Sequence, residues 1–210
     1  FVDAVVVSAN GKTTDALIEI IDLLGSDKGN ALVAIETLVN EHTNLISELV
    51  SDPVKTQLVT ELKKDALEIT SAADSGITES TSSDILANGE IWSARLLAAA
   101  LSEHFAPAQY IDARDFLVID NSIDANVDAA KSAKQLTHYL DNNKISVVTG
   151  YIAKDSNGET ATLGRNGSDY SATIVADLIS AGQVTLWTDV DGIYSADPRL
   201  VPTARKLHRL

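Results

Sequence analysis

The sequence predicts an α/β fold built on a largely parallel sheet. Three observations carry that expectation. Runs of β-branched and apolar residues at Val2–Ser8, Ile145–Ala153 and Val184–Trp187 read as buried strands. Stretches with helical periodicity separate them. Polar, glycine-bearing loops follow three strand ends, at Ser8–Thr14, Gly164–Asp169 and Thr188–Tyr194, where open α/β sheets gather their ligands.

Val2–Ser8 is the first strand, and Ala9–Lys12 a turn containing Gly11. Thr13 or Thr14 can cap a helix running to Leu24, with Gly25 stopping it. Asn30–Val50 reads as a longer helix, with Ile35, Leu38, Val39, His42 and Leu45–Ile46 along one stripe. Pro53 opens another to about Ala73. Asp74–Asp84, rich in Ser, Thr, Gly and Asp, reads as a loop. Gly89–Phe105 reads as a helix that buries Ala94, Leu97, Ala98 and Leu101 and is broken by Pro107. Ala108–Ile111 is a short strand and Val127–Leu140 an amphipathic helix. After the strand Ile145–Ala153, Asp155-Ser156-Asn157-Gly158 signals a hairpin whose return strand ends at Leu163. A helix with Ala172, Val175, Ala176 and Ile179 on one face ends at Gly182, and Val184–Trp187 is the last strand. No internal repeat or linker divides the chain, so a single domain over residues 1–210 is expected.

Composition narrows the function. The 210 residues carry 16 basic against 30 acidic side chains, net −14, with 45% hydrophobic and 22% charged residues. Such a surface repels phosphate backbones and anionic lipid, so nucleic-acid and membrane-surface partners are disfavoured. The exception is local: Arg199, Arg205, Lys206 and Arg209 cluster near the end. Absence of cysteine excludes disulfides, thiolate metal sites and cysteine nucleophiles, and fits a reducing, cytoplasmic setting. No run reaches membrane-span length. The chain has no methionine and opens at Phe1 directly on a strand, so it is expected to be a piece of something longer.

Several familiar chemistries fail on spacing. Gly11-Lys12-Thr13 resembles the end of a P-loop, but the position that needs the first glycine is Val6. Asp189-x-Asp191-Gly192 has its glycine too early for a calcium loop, and Leu200 replaces the twelfth-position glutamate. Ser168 lacks the Gly-x-Ser-x-Gly elbow. His42, His104, His138 and His208 make no metal spacing and read as structural or surface residues.

What remains is anion-binding equipment. Gly164-Arg165-Asn166-Gly167-Ser168-Asp169 combines two glycines for close backbone approach, a guanidinium for carboxylate or phosphate, and an acid at a helix start. An arginine and a carboxylate together in one glycine loop exceed what capping needs. Ser8, Thr188, Asp189, Tyr194 and Arg199 taken singly are explained as well by capping, core or surface roles. Glu90, beside Gly89, sits where a helix start favours an acid, so on its own it too has an ordinary explanation.

Taken together, these segments resemble one family. Leu163-Gly164-Arg165-Asn166-Gly167-Ser168-Asp169-Tyr170-Ser171-Ala172 resembles the Leu-Gly-Arg-Gly-Gly-Ser-Asp-Tyr-Ser-Ala signature of aspartokinases. Trp187-Thr188-Asp189-Val190-Asp191-Gly192-Ile193-Tyr194-Ser195-Ala196-Asp197-Pro198-Arg199 resembles their nucleotide segment. Gly89-Glu90-Ile91-Trp92-Ser93-Ala94-Arg95-Leu96, Ile111–Phe116, and Val7-Ser8-Ala9 with Thr13-Thr14 match in the same order. Asn166, where many members have glycine, is similar to the kinase half of bifunctional aspartokinase–homoserine dehydrogenases.

The resemblance implies a three-layer αβα sandwich, the amino-acid kinase fold, and phosphoryl transfer from ATP, with Mg²⁺ bound through the nucleotide, to the side-chain carboxylate of L-aspartate. That reaction opens lysine, threonine and methionine biosynthesis. Arg165 should then bind the substrate α-carboxylate and Glu90 its ammonium, with Thr14 and Ser168 completing the pocket. Asp169 should organise the reacting groups, and Ser8, Thr188, Asp189, Tyr194 and Arg199 should line the ATP site. The full-length protein should be a homo-oligomer. The alternatives are another amino-acid kinase with a different acidic substrate, or a non-catalytic fragment that binds nucleotide or a partner. One departure stands out. The family opens with a strand and Lys-Phe-Gly-Gly-Thr-Ser, and nothing here matches it, so the fold is expected to be incomplete at the N-terminus; these residues are either a truncated piece, then expected to be inactive alone, or part of a longer chain. The resemblance also implies regulatory domains after the kinase domain, which these 210 residues are expected not to contain.

Overall fold

The computed structural model describes residues 3–120, 126–164, 167–187, 192 and 194–207, with backbone only at 73–75. Its elements are β1 (Ala4–Val7), α1 (Thr13–Ser26), α2 (Lys28–Leu49), α3 (Val54–Ser75), α4 (Glu79–His104), β2 (Ala108–Ile111), β3 (Ile119–Asp120), β4 (Asn126–Val127), α5 (Ala129–Leu136), β5 (Ile145–Thr149), β6 (Ile152–Lys154), β7 (Thr160–Thr162) and α6 (Gly167–Leu178).

The described sheet runs β1–β5–β2, all parallel, with Val5 and Tyr110 flanking Val147 on either side. Consecutive side chains of a strand point to opposite faces. Val147 accordingly packs with Ala94 and Ala98 of α4, while Val148 joins the larger apolar cluster that includes Leu17, Ile20, Ile152 and Ile174. Helix α4 lies across β1, β2 and β5, and α6 packs on β1. The sheet is thus parallel, as the sequence pattern predicts, and flanked by helices in the αβα arrangement the resemblance implies. The hairpin also forms: β6 and β7 are antiparallel, and the Asp155 carboxylate accepts the N–H groups of Asn157 and Glu159 at 2.8 Å each. No helix among the described residues is long and apolar enough to cross a membrane.

Several local expectations give way, each for a physical reason. Residues 74–84 are mostly helix: Thr78 accepts the Thr81 N–H at 3.1 Å, which caps α4 at Glu79 and leaves only residues 76–78 outside helices. Buried Ile85 and Ala87 supply the packing that overrides the weak Ser/Thr propensity. Glu90 therefore sits deep within α4 rather than at a helix start, and the dipole explanation for it disappears.

Gly25 lies inside α1, and Asp27 makes the junction by accepting the Asn30 N–H at 3.1 Å to cap α2. Neither threonine caps α1; Thr13 is its first residue and places its hydroxyl 3.0 Å from His42 Nε2. The apolar run Ile145–Ala153 breaks at Gly150–Tyr151 into β5 and β6, with Tyr151 at φ 63°. Helix α6 ends at Leu178, where Ser180 (φ 54°), not Gly182, takes the left-handed position and the Ala181 N–H reaches the Ala176 carbonyl at 2.8 Å. Helix α5 starts at Ala129 because Asp128 caps it through the Lys131 N–H at 3.0 Å, and it ends at Leu136, short of Leu140.

Val184–Trp187 is not a strand. Trp187 is 93% exposed, and Val184 and Leu186 are also exposed. An apolar run becomes a strand only beside a partner that completes its hydrogen bonds, and no described strand pairs with this one.

Candidate functional site

The carboxyl ends of β1 and β5 and the start of α6 enclose a cavity of about 340 Å³ lined by Ser8, Thr14, Glu90, Tyr151, Gly164, Gly167, Ser168 and Asp169. Five residues singled out from sequence thus converge: Ser8, Thr14, Glu90, Ser168 and Asp169. Arg165, Thr188 and Asp189 lie outside the described residues. Tyr194 and Arg199 do not line this cavity. Tyr194 bridges to Lys206, and the exposed Arg199 guanidinium meets the Asp197 carboxylate at 3.1 Å.

Each wall has a local cause. Ser8 follows the last residue of β1 and Thr14 is the second residue of α1, so the turn between them delivers both. Gly150 extends the parallel pairing by donating to the Val7 carbonyl at 2.8 Å. Its neighbours leave no room for a side chain: a Cβ there would lie 2.9 Å from both Ser168 Oγ and the Val7 carbonyl oxygen. The next residue, Tyr151, turns into the left-handed region, strained for a bulky residue. Its N–H donates to Ser171 Oγ at 2.9 Å, Ser171 Oγ donates to the Gly167 carbonyl at 2.7 Å, and the Tyr151 carbonyl accepts the Leu163 N–H at 2.8 Å. A Cβ on Gly167 would sit 2.6 Å from the Tyr151 ring, so only glycine fits the start of α6 against it. Sequence reading missed Tyr151. Its only signal was a glycine within an apolar strand run, which marks a bulge or a close backbone approach.

These contacts predict that Gly150→Ala loses about 1–3 kcal/mol by overpacking, read as a lower urea midpoint, because Ser168 or the β1 carbonyl must move. An unchanged midpoint would contradict the close approach.

Glu90 is the chemical centre. It is 3% exposed. Its Oε1 accepts the Ala9 N–H at 3.4 Å, and its Oε2 has no hydrogen-bond partner among the described residues. Burial pushes its carboxyl up to about 7, against the smaller pull of its own backbone and the Ala9 N–H. A buried carboxylate oxygen without a donor is costly, and a small cationic group in the cavity would relieve it. The first residues of α6 line the same cavity, and a helix start, with its first-turn N–H groups and positive dipole end, suits an anion. One pocket therefore offers an acid for a cation, a helix start for an anion, and the hydroxyls of Ser8, Thr14 and Ser168. Among the described residues no group of three or more His, Cys, Asp or Glu side chains could hold a metal ion.

A larger cavity of about 610 Å³ lies between the first turn of α1 and the face of α2, lined by Lys12, Asp15, Glu19, Glu41 and His42 among others. Of the strand-end loops it takes only the 10–13 turn, and Ser8, Thr14, Glu90, Ser168 and Asp169 do not line it.

Known proteins carry the same architecture. "Bifunctional aspartokinase/homoserine dehydrogenase 2" of Escherichia coli is 40% identical over 96% of this chain, and the chain spans 25% of that protein. The lysine-sensitive aspartokinase 3 of Escherichia coli is 28% identical over 98% of the chain, which spans 46% of it. Among solved structures, E. coli aspartokinase III in complex with aspartate and ADP superimposes with a TM-score of 0.82 at 27% identity, covering 98% of this chain and 46% of that one. The Clostridium acetobutylicum aspartate kinase gives 0.73 at 25% identity, over 97% of this chain and 44% of that one. A sequence model of the amino acid kinase family matches residues 2–210, and this chain belongs to that family.

Proposed function

We propose that this chain is the catalytic domain of an aspartate kinase, which transfers the γ-phosphate of ATP to the side-chain carboxylate of L-aspartate to give 4-phospho-L-aspartate. The observation that carries the reading is the buried Glu90, whose Oε2 is unpartnered among the described residues and which lines one small cavity together with the start of α6. That arrangement suits a zwitterion: α-ammonium on Glu90, α-carboxylate on Arg165 and the α6 N–H groups, with Thr14 and Ser168 donating or accepting between them. The structural relative with aspartate and ADP supports it, as do the names of the bifunctional relatives.

The chemistry asks little of a base. The reacting carboxylate has an ordinary pKa near ~4 and is ionised at neutral pH. One of its oxygens attacks the γ-phosphorus, the bond to the bridging oxygen breaks, and ADP leaves with that electron pair. The barrier is bringing one anion to another in line, so positioning and charge neutralisation dominate. Mg²⁺ bound through the nucleotide would supply part of that charge neutralisation. Asp169, in the first turn of α6, orders the groups around the transferring phosphate, and Ser8, Thr188, Asp189, Tyr194 and Arg199 hold the nucleotide. We place the reaction in the biosynthesis of lysine, threonine and methionine, in the cytoplasm.

The test is direct. The intact protein is incubated with ATP, Mg²⁺ and hydroxylamine, and L-aspartate, D-aspartate and L-glutamate are compared for trapped acyl hydroxamate. Product from L-aspartate is expected. Product from another acid in its place, or from none, would overturn the assignment.

A further inference from the structure

We infer that His42 is a positioning residue for the substrate pocket, fixing the 9–14 turn through Thr13 so that Thr14 keeps its place in the cavity with Glu90. The inference rests on the substrate-pocket reading above but concerns a residue outside the cavity. His42 lies on α2, remote in sequence from every wall of the pocket.

The turn is held from two sides. On one side α4 presents Gly89, where a Cβ would meet the Ala9 Cβ at 2.8 Å and the Thr13 Cγ2 at 3.5 Å. Helix and turn are therefore in close contact, and this closeness lets Ala9 donate to Glu90 Oε1. On the other side Thr13 Oγ1 and His42 Nε2 share a hydrogen bond of 3.0 Å, with both residues 5% exposed. The imidazole is itself fixed edge-on to Trp92, with ring centroids 5.0 Å apart. Trp92 Nε1 donates to Asp65 Oδ2 at 2.9 Å, and the same oxygen takes Arg95 at 2.7 Å. Trp92 stands on α4, one residue removed from Glu90 by Ile91. The chain of contacts thus starts and ends at the pocket: Glu90's helix orients Trp92, Trp92 orients His42, and His42 orients the turn that carries Thr14.

Direction distinguishes this from simple packing. The buried part of the α1–α2 interface includes the apolar Leu17, Ile20, Ala31, Ile35 and Leu38, and a leucine at position 42 would fill much of the same space. A buried hydrogen bond adds what leucine lacks, a preferred rotation for the first turn of α1. Thr14 is the next residue, so an error in that rotation moves its hydroxyl within the pocket.

His42→Leu, Thr13→Val, the double variant and His42→Gln are compared in the intact protein, the glutamine amide reaching about as far as Nε2. Leu and Val should each raise the aspartate KM about tenfold, the size of one lost buried hydrogen bond, with kcat and the ATP KM little changed. The double variant should be no worse than either single one, and His42→Gln should recover most of the loss. Hydrogen exchange read on the same proteins should show the Thr13 amide, which donates to the Asn10 carbonyl at 3.0 Å, opening about tenfold faster in His42→Leu than in wild type. Should His42→Leu not fold, Thr13→Val makes the same test from the other end of the bond. Wild-type KM and exchange in these variants, or additive single effects, overturn the inference. If the wild-type protein phosphorylates no aspartate, the proposed function falls, and the exchange measurement alone still decides whether His42 holds the turn.

Discussion

Asp169→Asn in the intact protein is expected to cut aspartyl phosphate formation by about a hundredfold to a thousandfold, the usual range for removing one preorganised electrostatic group at a reacting centre. The fold should hardly notice. Asp169 is exposed and is the third residue of α6, so it does not occupy the capping position. A first-turn acid contributes about 0.3–1 kcal/mol through the helix dipole, and the stability read from urea unfolding should change by no more than that. Asparagine keeps the shape and much of the hydrogen bonding, so the variant isolates the charge. The reacting carboxylate is already ionised, which makes a general-base role unnecessary; the charge is needed to hold cations and donors in register around the phosphate in flight. Turnover retained within about tenfold would show that α6 and its backbone N–H groups suffice, and Asp169 would lose its assigned role.

Much of this site was legible in the chain because its parts are local. Ser8 and Thr14 flank a turn after a β-branched run, and Ser168 and Asp169 open a helix after a glycine loop; both patterns are set within about ten residues. The parallel character of the sheet was legible because apolar strands alternate with helices; its order was not. Glu90 was less legible from the residues themselves. The Ser/Thr-rich segment before it looks like a loop, which made Glu90 look like a helix-start acid, and only buried Ile85 and Ala87 reveal that α4 begins at Glu79. Tyr151 was hidden because Ile-Ser-Val-Val-Thr-Gly-Tyr-Ile-Ala has the composition of one strand. The break comes from Ser168 and the Val7 carbonyl crowding Gly150, neither of which is near in sequence. His42 fell on an apolar helix stripe, where its bond to Thr13 could not be seen. Val184–Trp187 erred in the opposite direction: its composition is that of a strand, but a strand needs a neighbour.

Glu90→Gln should separate function from stability, with opposite signs. The wild-type carboxyl titrates near 7 in the folded protein against an ordinary 4.5. Between those values the folded chain keeps a proton that the unfolded chain has released, so stability falls as pH rises from about 4.5 and the loss is complete above about 7. The penalty comes to about 3 kcal/mol. Glutamine cannot ionise and escapes it. The variant should match wild type in urea unfolding near pH 4 and exceed it at pH 8, by up to that amount, when no substrate is present. Aspartate should reverse the order. It stabilises wild type by occupying the pocket, more so as pH rises through 7, because the ammonium needs the ionised carboxylate. In the variant the ammonium loses a buried partner, a change worth about 3–5 kcal/mol, so aspartate affinity should fall by more than about a hundredfold and the ligand should no longer protect. A variant less stable than wild type at pH 8 would mean that Oε2 already has a donor within the protein. One that still binds aspartate tightly would mean that the ammonium sits elsewhere. A firmer fold and an idle pocket should appear together, because an oxygen kept unsatisfied for the substrate destabilises the protein until the substrate arrives.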